Sequence, residues 1–241
     1  MPAKRDELEV EPTLGFEPGG PTGDIERVCR VIARLVAGGT AIAAKDASIH
    51  KLFPVAVTPS EGESIREWVI RERATRTIEI GLGYGISTLF ICEGLLHTAG
   101  REAHHVAVDL HQSTRFANCG VQFLGEAGVA ELVEFHEEDS HLALPRFLSE
   151  GRIFDLACRR NHRFDGAFVD LAYLARLIRP GGVVFLDDYQ LPAIRRAVSF
   201  WQRNVGWEVE EVSQSDSDHQ WAVVRTPRTR DSRPHYHFLD F

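Results

Sequence analysis

Two spacing patterns of apolar residues alternate along this chain. Short continuous apolar runs, such as 77–80, 105–108 and 183–186, suit strands that are buried on both faces. Between these runs, apolar residues recur every three or four positions, as in amphipathic helices. Regular alternation of the two patterns predicts an α/β fold with a largely parallel sheet.

The pattern predicts seven strands and seven helices. The strands are predicted at 77–80, 105–109, 133–136, 154–158, 183–189, 207–212 and 219–225. The helices are predicted at 24–37, 60–72, 87–96, 113–125, 142–148, 165–178 and 190–204. Asp24 is the predicted cap of the first helix, and Ser60 with Glu63 forms the capping box of the second.

The ends of the chain differ in composition from its middle. Residues 1–22 are rich in Pro, Gly and Glu and are predicted to form a flexible arm. Residues 23–225 are predicted to form one domain, of which 23–75 are an N-terminal helical extension, and residues 226–241 a C-terminal tail. The tail contains His235 and His237, whose spacing alone does not indicate a metal site.

Three alternate glycines follow the first predicted strand. Gly81, Gly83 and Gly85 can adopt positive φ angles and let a ligand approach the backbone, so the segment is a candidate nucleotide cradle. A dinucleotide fingerprint requires a small residue where this chain has Ile86. An acid at the tip of the second strand of such a sheet can bind both ribose hydroxyls, and Asp109 holds that position.

Two motifs carry a resemblance to a known family. The segment from Glu79 to Gly85 resembles motif I (E-x-G-x-G-x-G) of the class I S-adenosylmethionine (SAM)-dependent methyltransferases, and 177–189 (LIRPGGVVFLDDY) resembles their fifth strand and its approach. Over about residues 60 to 225 the chain is similar to small-molecule O-methyltransferases of the macrocin O-methyltransferase, or methyltransferase-24, group. The resemblance implies a Rossmann-like doubly wound seven-stranded sheet, mostly parallel, with an antiparallel terminal strand.

The resemblance also implies which residues bind SAM. Asp109 is assigned to the ribose, and Asp139 or Ser140 to the adenine amino group, with a cap for the next helix, which Ser140 could provide on its own, as the alternative. The residues assigned to the glycine loop and its surroundings are Glu79, Gly81, Gly83, Tyr84, Gly85 and Ser87.

Catalytic candidates follow the fourth and fifth predicted strands. Asp187 and Asp188 resemble the paired acids that hold a divalent cation such as Mg²⁺ in metal-dependent O-methyltransferases. Relatives also use an Asp after the fourth strand, where this chain has Arg159–Arg160, and a guanidinium there would repel a cation. His162 is a candidate general base and Tyr189 a candidate orienting donor, with local packing as the alternative for each.

Composition limits the partners. A net charge of −8 argues against a nucleic-acid surface, and no run approaches the roughly 20 apolar residues of a membrane span. The charged N-terminus lacks the apolar stretch of a signal peptide, and the four cysteines are widely separated, so a cytoplasmic protein is predicted. We expect a small-molecule acceptor, with a homodimer as an option.

The function predicted from these observations is methyl transfer from SAM to a small molecule, at a hydroxyl oxygen of a natural product or sugar-like acceptor. One alternative is a nicotinamide-dependent oxidoreductase, which the Ile86 position disfavours. The other alternative is a catalytically silent binding subunit with the same fold, which the Arg159–Arg160 replacement keeps open.

Overall fold

The computed structural model describes residues 21–160, 162–214, 219–229, 234 and 236–241. The first 20 residues of the predicted arm, Asn161, the polar turn at 215–218 and His235 lie outside the described residues.

A seven-stranded sheet forms the centre of the protein, in the order β5-β4-β3-β6-β7-β9-β8. Its strands are β3 (Arg76–Ile80), β4 (His104–Val108), β5 (Val133–His136), β6 (Phe154–Arg159), β7 (Ile178–Leu186), β8 (Glu208–Val212) and β9 (Ala222–Arg225). The first five of these pair in parallel, and β9 lies antiparallel to β7 and to β8. The predicted doubly wound sheet with an antiparallel terminal strand is confirmed.

Helices cover both faces of the sheet. They are α1 (Pro21–Gly38), α2 (Pro59–Arg71), α3 (Ile86–Ala99), α4 (Cys119–Glu126), α5 (Ser140–Ser149), α6 (Phe164–Leu177) and α7 (Pro192–Phe200). Helices α1 to α4 enclose one apolar core and α5 to α7 enclose the other, because successive strand residues such as Ala157 and Cys158 point to opposite faces. In the part of the chain that the structure describes, no helix combines the length and the apolarity needed to cross a membrane.

Two predicted helix caps are wrong. Asp24 lies inside α1 rather than at its start, where its buried carboxylate accepts hydrogen bonds from Arg101 Nε at 2.8 Å and Nη2 at 2.7 Å. Helix α2 is capped by Thr58, whose hydroxyl accepts the Glu61 N–H at 3.2 Å, so Ser60 is already within the helix. Thr58 directly precedes Pro59, a residue that suits the first position of a helix, whereas Asp24 is held by the distant Arg101.

The predicted helix at 113–125 is shorter than expected. Helix α4 begins at Cys119, because Ala117 and Asn118 have φ angles of 48° and 60° and therefore cannot continue a right-handed helix. A small antiparallel hairpin was not predicted and pairs β1 (Thr40–Ile42) with β2 (Ile49–Lys51). Strand β7 also begins earlier than expected and includes the predicted turn at 179–182.

Candidate active site

The loops after β3 and β6 lie side by side at the carboxyl edge of the sheet. From β3 the chain proceeds outward to β4 and β5, and then crosses back to β6 and β7 on the other side of β3. Sheets of this kind bind ligands at the point where the strand order reverses. The crevice between the ends of β3 and β6 is therefore the expected ligand site.

The glycine loop lies at this crevice and needs its glycines. Gly81, Gly83 and Gly85 all have positive φ angles, and Gly81 has the largest, 101°. A side chain at Gly85 would lie 3.1 Å from the backbone of Gly120 at the start of α4. The loop can therefore pack this closely against α4 only because Gly85 has no Cβ.

Glu79 connects the strand below the loop to the helix above it. Its fully buried carboxylate accepts hydrogen bonds from the hydroxyls of Ser87 and Thr88, which lie in the first turn of α3. His105 on the neighbouring strand lies 3.7 Å from the same carboxylate. The predicted site residues Glu79 and Ser87 thus contact each other, and together they fix the position of the glycine loop.

Asp109 is at the tip of β4, as predicted, and holds the glycine loop from the other side. Its Oδ2 atom accepts the Gly83 N–H at 2.7 Å, and its Oδ1 atom accepts the His111 N–H at 2.7 Å. A carboxylate offers about four lone-pair sites, so two hydrogen bonds leave acceptor capacity for a ligand.

An aromatic wall lies beside the loop. Tyr84 is largely buried, and its ring meets that of Phe116 edge-on with centroids 5.1 Å apart. The imidazole of His50, on the unpredicted hairpin, lies 6.0 Å from the Tyr84 ring. Tyr84 was predicted as a site residue from the glycine loop, whereas Phe116 and His50 were not predicted, because they belong to no recognisable motif.

Asp139 and Ser140 make structural contacts at the start of α5. Asp139 is the helix cap and accepts the His141 N–H at 2.8 Å. The Ser140 hydroxyl donates to Asp170 at 2.8 Å, and the other oxygen of Asp170 accepts from Arg159 Nε at 3.1 Å. Helix α5 is therefore capped by Asp139 and not by Ser140, and a role of either residue at adenine stays a prediction.

A second group of polar residues surrounds His219, which lies just before β9. One imidazole nitrogen, Nε2, lies 3.0 Å from Glu61 Oε2 and 3.1 Å from Asp187 Oδ1. The other nitrogen, Nδ1, lies 3.2 Å from Asp188 Oδ1. Hydrogen bonds to these three carboxylates raise the pKa of His219 to about 12, so the imidazole is protonated at neutral pH.

Arg160 joins this acidic group to the glycine loop. Its Nε donates to Asp187 Oδ2 at 3.2 Å, its Nη1 donates to the Ser87 hydroxyl at 3.3 Å, and its Nη2 donates to the carbonyl of Val55. Burial raises the pKa of Asp187, but the hydrogen bond from His219 and the charge of Arg160 outweigh that effect and the pKa is lowered. Asp187 is therefore ionised and held between two cationic side chains.

His162 and Asp188 form a close pair at the same edge. The imidazole Nδ1 of His162 lies 2.5 Å from Asp188 Oδ2, and 59% of the His162 side chain is exposed. Asp188 also accepts a hydrogen bond from Gln190 at 2.8 Å. Burial raises the pKa of Asp188, but the hydrogen bonds from His162, His219 and Gln190 hold it well below its usual range. An ionised Asp188 thus orients an accessible imidazole.

Tyr189 is placed differently from the other catalytic candidates. Its ring packs against the core beneath α5 to α7, with the Arg195 guanidinium 5.7 Å from the ring centroid. Its backbone N–H donates to the carbonyl of Gln220 at 2.6 Å. These contacts match the packing alternative, and an orienting role for the Tyr189 hydroxyl stays a prediction.

Glu61 and His219 were not predicted as site residues. Glu61 lies in the first turn of α2, where an acid is common for helix stability, and His219 stands outside any motif. The Arg159–Arg160 departure was the visible signal in the sequence, and in the structure Arg160 contacts both Ser87 and Asp187. Arg159 turns to Asp170 on one side of the sheet, whereas Arg160 lies over the glycine loop.

The contacts around Asp187 do not favour the predicted divalent cation. Ligand atoms of Glu61, Asp187 and His219 do lie within 4.8 Å of one another. However, both oxygens of Asp187 and both oxygens of Asp188 already face N–H groups, and Arg160 places a guanidinium beside them. A cation needs free oxygen ligands. The site neutralises its acids with its own cationic side chains.

Replacing His219 with glutamine is expected to destabilise the protein in a pH-dependent way. The raised pKa of His219 means that its stabilisation is complete below the unfolded value of about 6.5 and is lost as the pH rises toward about 12. We expect a loss of about 1 to 2 kcal/mol at pH 6, because three carboxylates lose a shared partner whose side chain is 32% exposed and therefore partly screened by solvent. Denaturant unfolding at pH 6, 7.5 and 9 measures the free energy of unfolding, and its difference between the variant and the wild type should become smaller as the pH rises. A difference that becomes larger with pH would contradict the raised pKa of His219.

Comparisons with known proteins agree with this architecture. Residues 78–189 match the profile of a family described as "Methyltransferase domain". The fold is similar to that of cofactor-bound Rv0187 from MTB, with a TM-score of 0.65 and 18% identity over 89% of this chain and 100% of that one. It is also similar to an O-methyltransferase from Bacillus cereus in complex with SAH (TM-score 0.62, 18% identity, 88% and 93% covered). A third similar structure is the O-methyltransferase TomG from Streptomyces achromogenes, involved in tomaymycin synthesis, in complex with SAM. Its TM-score is 0.64 and its identity 18%, over 89% of this chain and 92% of that one.

Proposed function

We propose that the protein transfers a methyl group from SAM to a hydroxyl oxygen of a small molecule. Residues 78–189 match the profile of a methyltransferase domain, and the fold is similar to those of O-methyltransferases in complex with SAM or SAH. One observation supports this proposal above the others. The glycine loop and the Asp109 carboxylate lie at the strand-order reversal, and the His162–Asp188 pair lies at the ends of the adjacent strands β6 and β7. Cofactor-binding groups and a candidate base thus share one edge of the sheet.

The cofactor supplies a methyl group that is already activated by its positively charged sulfur. In the binding arrangement proposed here, Asp109 accepts the ribose hydroxyls while it holds Gly83 in place, and the glycine loop lies under the methionine part. Tyr84 and Phe116 form an apolar wall beside the loop and exclude water from it.

His162 is the proposed general base. Asp188 faces Nδ1 of the imidazole, which leaves Nε2 to accept the hydroxyl proton of the acceptor. As the acceptor oxygen bonds to the methyl carbon, the carbon–sulfur bond breaks, its electron pair stays on sulfur, and the proton passes to His162. The exposure of His162 suits an acceptor that enters from solvent. A small-molecule acceptor, a cytoplasmic location and a homodimer remain predictions.

Ligand binding tests the proposed function directly. SAM or its product S-adenosylhomocysteine (SAH) at 100 times its dissociation constant is expected to stabilise the protein by about 2.7 kcal/mol. For a chain of this length, that corresponds to a rise in melting temperature of about 5 to 10 °C. NADH is the control, and no shift is expected with it because Ile86 stands where the dinucleotide fingerprint needs a small residue.

A shift with NADH alone would support the oxidoreductase alternative. Turnover of labelled SAM with hydroxylated acceptors separates an active enzyme from a silent binding subunit. A protein that binds SAH but methylates none of a broad acceptor panel would favour the silent subunit.

A further inference from the structure

We propose that Arg160 and Glu61 together recognise the amino-acid end of SAM, with the guanidinium binding its carboxylate and the Glu61 carboxylate binding its ammonium group. This inference rests on the proposed function and specifies one part of the same site. It assigns a binding role to the Arg160 position, where the chain departs from its relatives, and to a residue of α2 that no motif marks.

Arg160 lies directly over the glycine loop. A Cβ atom added at Gly81 would be 3.2 Å from Arg160 Cβ, and one added at Gly83 would be 3.7 Å from Arg160 Nη1. The Nη1 atom also contacts the Ser87 hydroxyl in the first turn of α3. The guanidinium therefore occupies the region in which the methionine part of the cofactor is expected to lie.

Arg160 keeps hydrogen-bonding capacity for a carboxylate. A guanidinium has five N–H groups, and in the described part of the chain its observed acceptors are Asp187, Ser87 and the Val55 carbonyl. One N–H group on each of Nη1 and Nη2 is left, and such a pair matches the two oxygens of a carboxylate. The ion pair with Asp187 holds the guanidinium in place before the ligand arrives.

Glu61 offers the complementary charge. Its side chain is 1% exposed, its Oε2 atom faces His219, and its Oε1 atom is buried with no hydrogen-bond partner among the described residues. A buried acceptor without a partner is unfavourable, and a ligand N–H group would satisfy it. Burial raises the pKa of Glu61 to about 7, and a bound ammonium group would favour its ionised form.

The two groups lie close enough for their charges to interact, and both contact the same small cluster. Arg160 bonds to Asp187 Oδ2, while His219 bridges Glu61 and Asp187 Oδ1. One positive and one negative group thus stand together beside the glycine loop. An α-amino acid carries a carboxylate and an ammonium group on a single carbon, and it is the part of SAM that a dinucleotide lacks.

The test compares ligands that differ only in this end. Calorimetry would measure the binding of SAH, of its decarboxylated analogue, of its deaminated analogue and of 5′-methylthioadenosine, which lacks both groups. For Arg160→Gln, we expect affinity to fall by about 10- to 100-fold for the two ligands that carry the carboxylate and by less than about threefold for the other two. For Glu61→Gln, we expect affinity to fall instead for SAH and its decarboxylated analogue, which are the two ligands that carry the ammonium group.

Matched controls are available nearby. Glu63→Gln lies two positions from Glu61 on the exposed side of α2, and Arg163→Gln removes a guanidinium that is 82% exposed, so neither should change the affinity for SAH. If Arg160→Gln does not fold, Arg160→Lys keeps the charge but loses the paired donors. It should then show the same carboxylate-dependent loss to a smaller degree.

Several results would overturn the inference while the proposed function stands. In one such result, the wild-type protein binds SAH, but each variant loses affinity for SAH and for 5′-methylthioadenosine by the same factor. Another is stabilisation of wild type by Mg²⁺ that Glu61→Gln abolishes, since Glu61 would then be a metal ligand. Wild type that binds none of the four ligands would instead contradict the proposed function itself.

Discussion

Asp109→Ala is expected to lower the affinity for SAH by about 100-fold. Two hydrogen bonds from ribose hydroxyls to an ionised carboxylate account for this loss, at about 1.5 kcal/mol each. The variant also removes the acceptor of the Gly83 and His111 N–H groups, so the glycine loop loses a fixed point as well. Calorimetric titration with SAH measures the effect.

Two comparisons show whether the loss arises at the ribose. Asp109→Asn keeps the shape and one acceptor oxygen, so its affinity should lie between those of wild type and Asp109→Ala. Asp165→Ala is the control, because Asp165 is 70% exposed and pairs only with Arg163 and its own helix start among the described contacts. A folded Asp109→Ala protein that binds SAH as tightly as wild type would refute the ribose assignment.

His162→Gln is expected to slow methyl transfer by about 10²- to 10⁴-fold once an acceptor is in hand, because the proposed base is gone. Binding of SAH should be unchanged, since His162 contacts Asp188 at the edge of the crevice and not the glycine loop. Asp188→Asn should cause a smaller loss, because the imidazole remains but its orientation is no longer fixed. Steady-state rates with labelled SAM give both numbers.

The separate kinetic constants distinguish a base from a residue that only positions the acceptor. Loss of a base should lower kcat, whereas loss of a positioning residue should mainly raise KM for the acceptor. His97→Gln, an exposed histidine near the end of α3, serves as the control. If His162→Gln turns over at the wild-type rate, His162 is not the general base, and the assignments of the cofactor-binding residues are unaffected.

The parts of the fold that were predicted correctly are those with local causes. Short continuous apolar runs favour strands that are buried on both faces, and the glycines after β3 permit the positive φ angles that the loop adopts. The position of Asp109 follows from chain order alone, because an acid that ends the second strand must lie beside the loop after the first. The seven strands and the loop were therefore visible in the sequence.

The errors concern residues whose role depends on neighbours distant in the chain. Asp24 is a good helix cap by type, yet it pairs with Arg101, which comes from beyond α3. The segment before α4 has helical spacing of apolar residues, but Ala117 and Asn118 take left-handed conformations. The contact of Asp24 with Arg101 is not local, and the spacing of apolar residues does not reveal a left-handed pair of residues, so local propensity did not decide either case.

The sequence by itself therefore determined the sheet, the glycine loop with Asp109, and the presence of two acids after β7. Only the tertiary structure decided what those acids do. His219 and Glu61 are 158 positions apart, and they meet because β9 folds back antiparallel beside β7 and brings the segment before it to the carboxyl edge. Opposite charges then converge there, with His219 and Arg160 on the two oxygens of Asp187, so that the acids pair with cationic side chains of the chain itself.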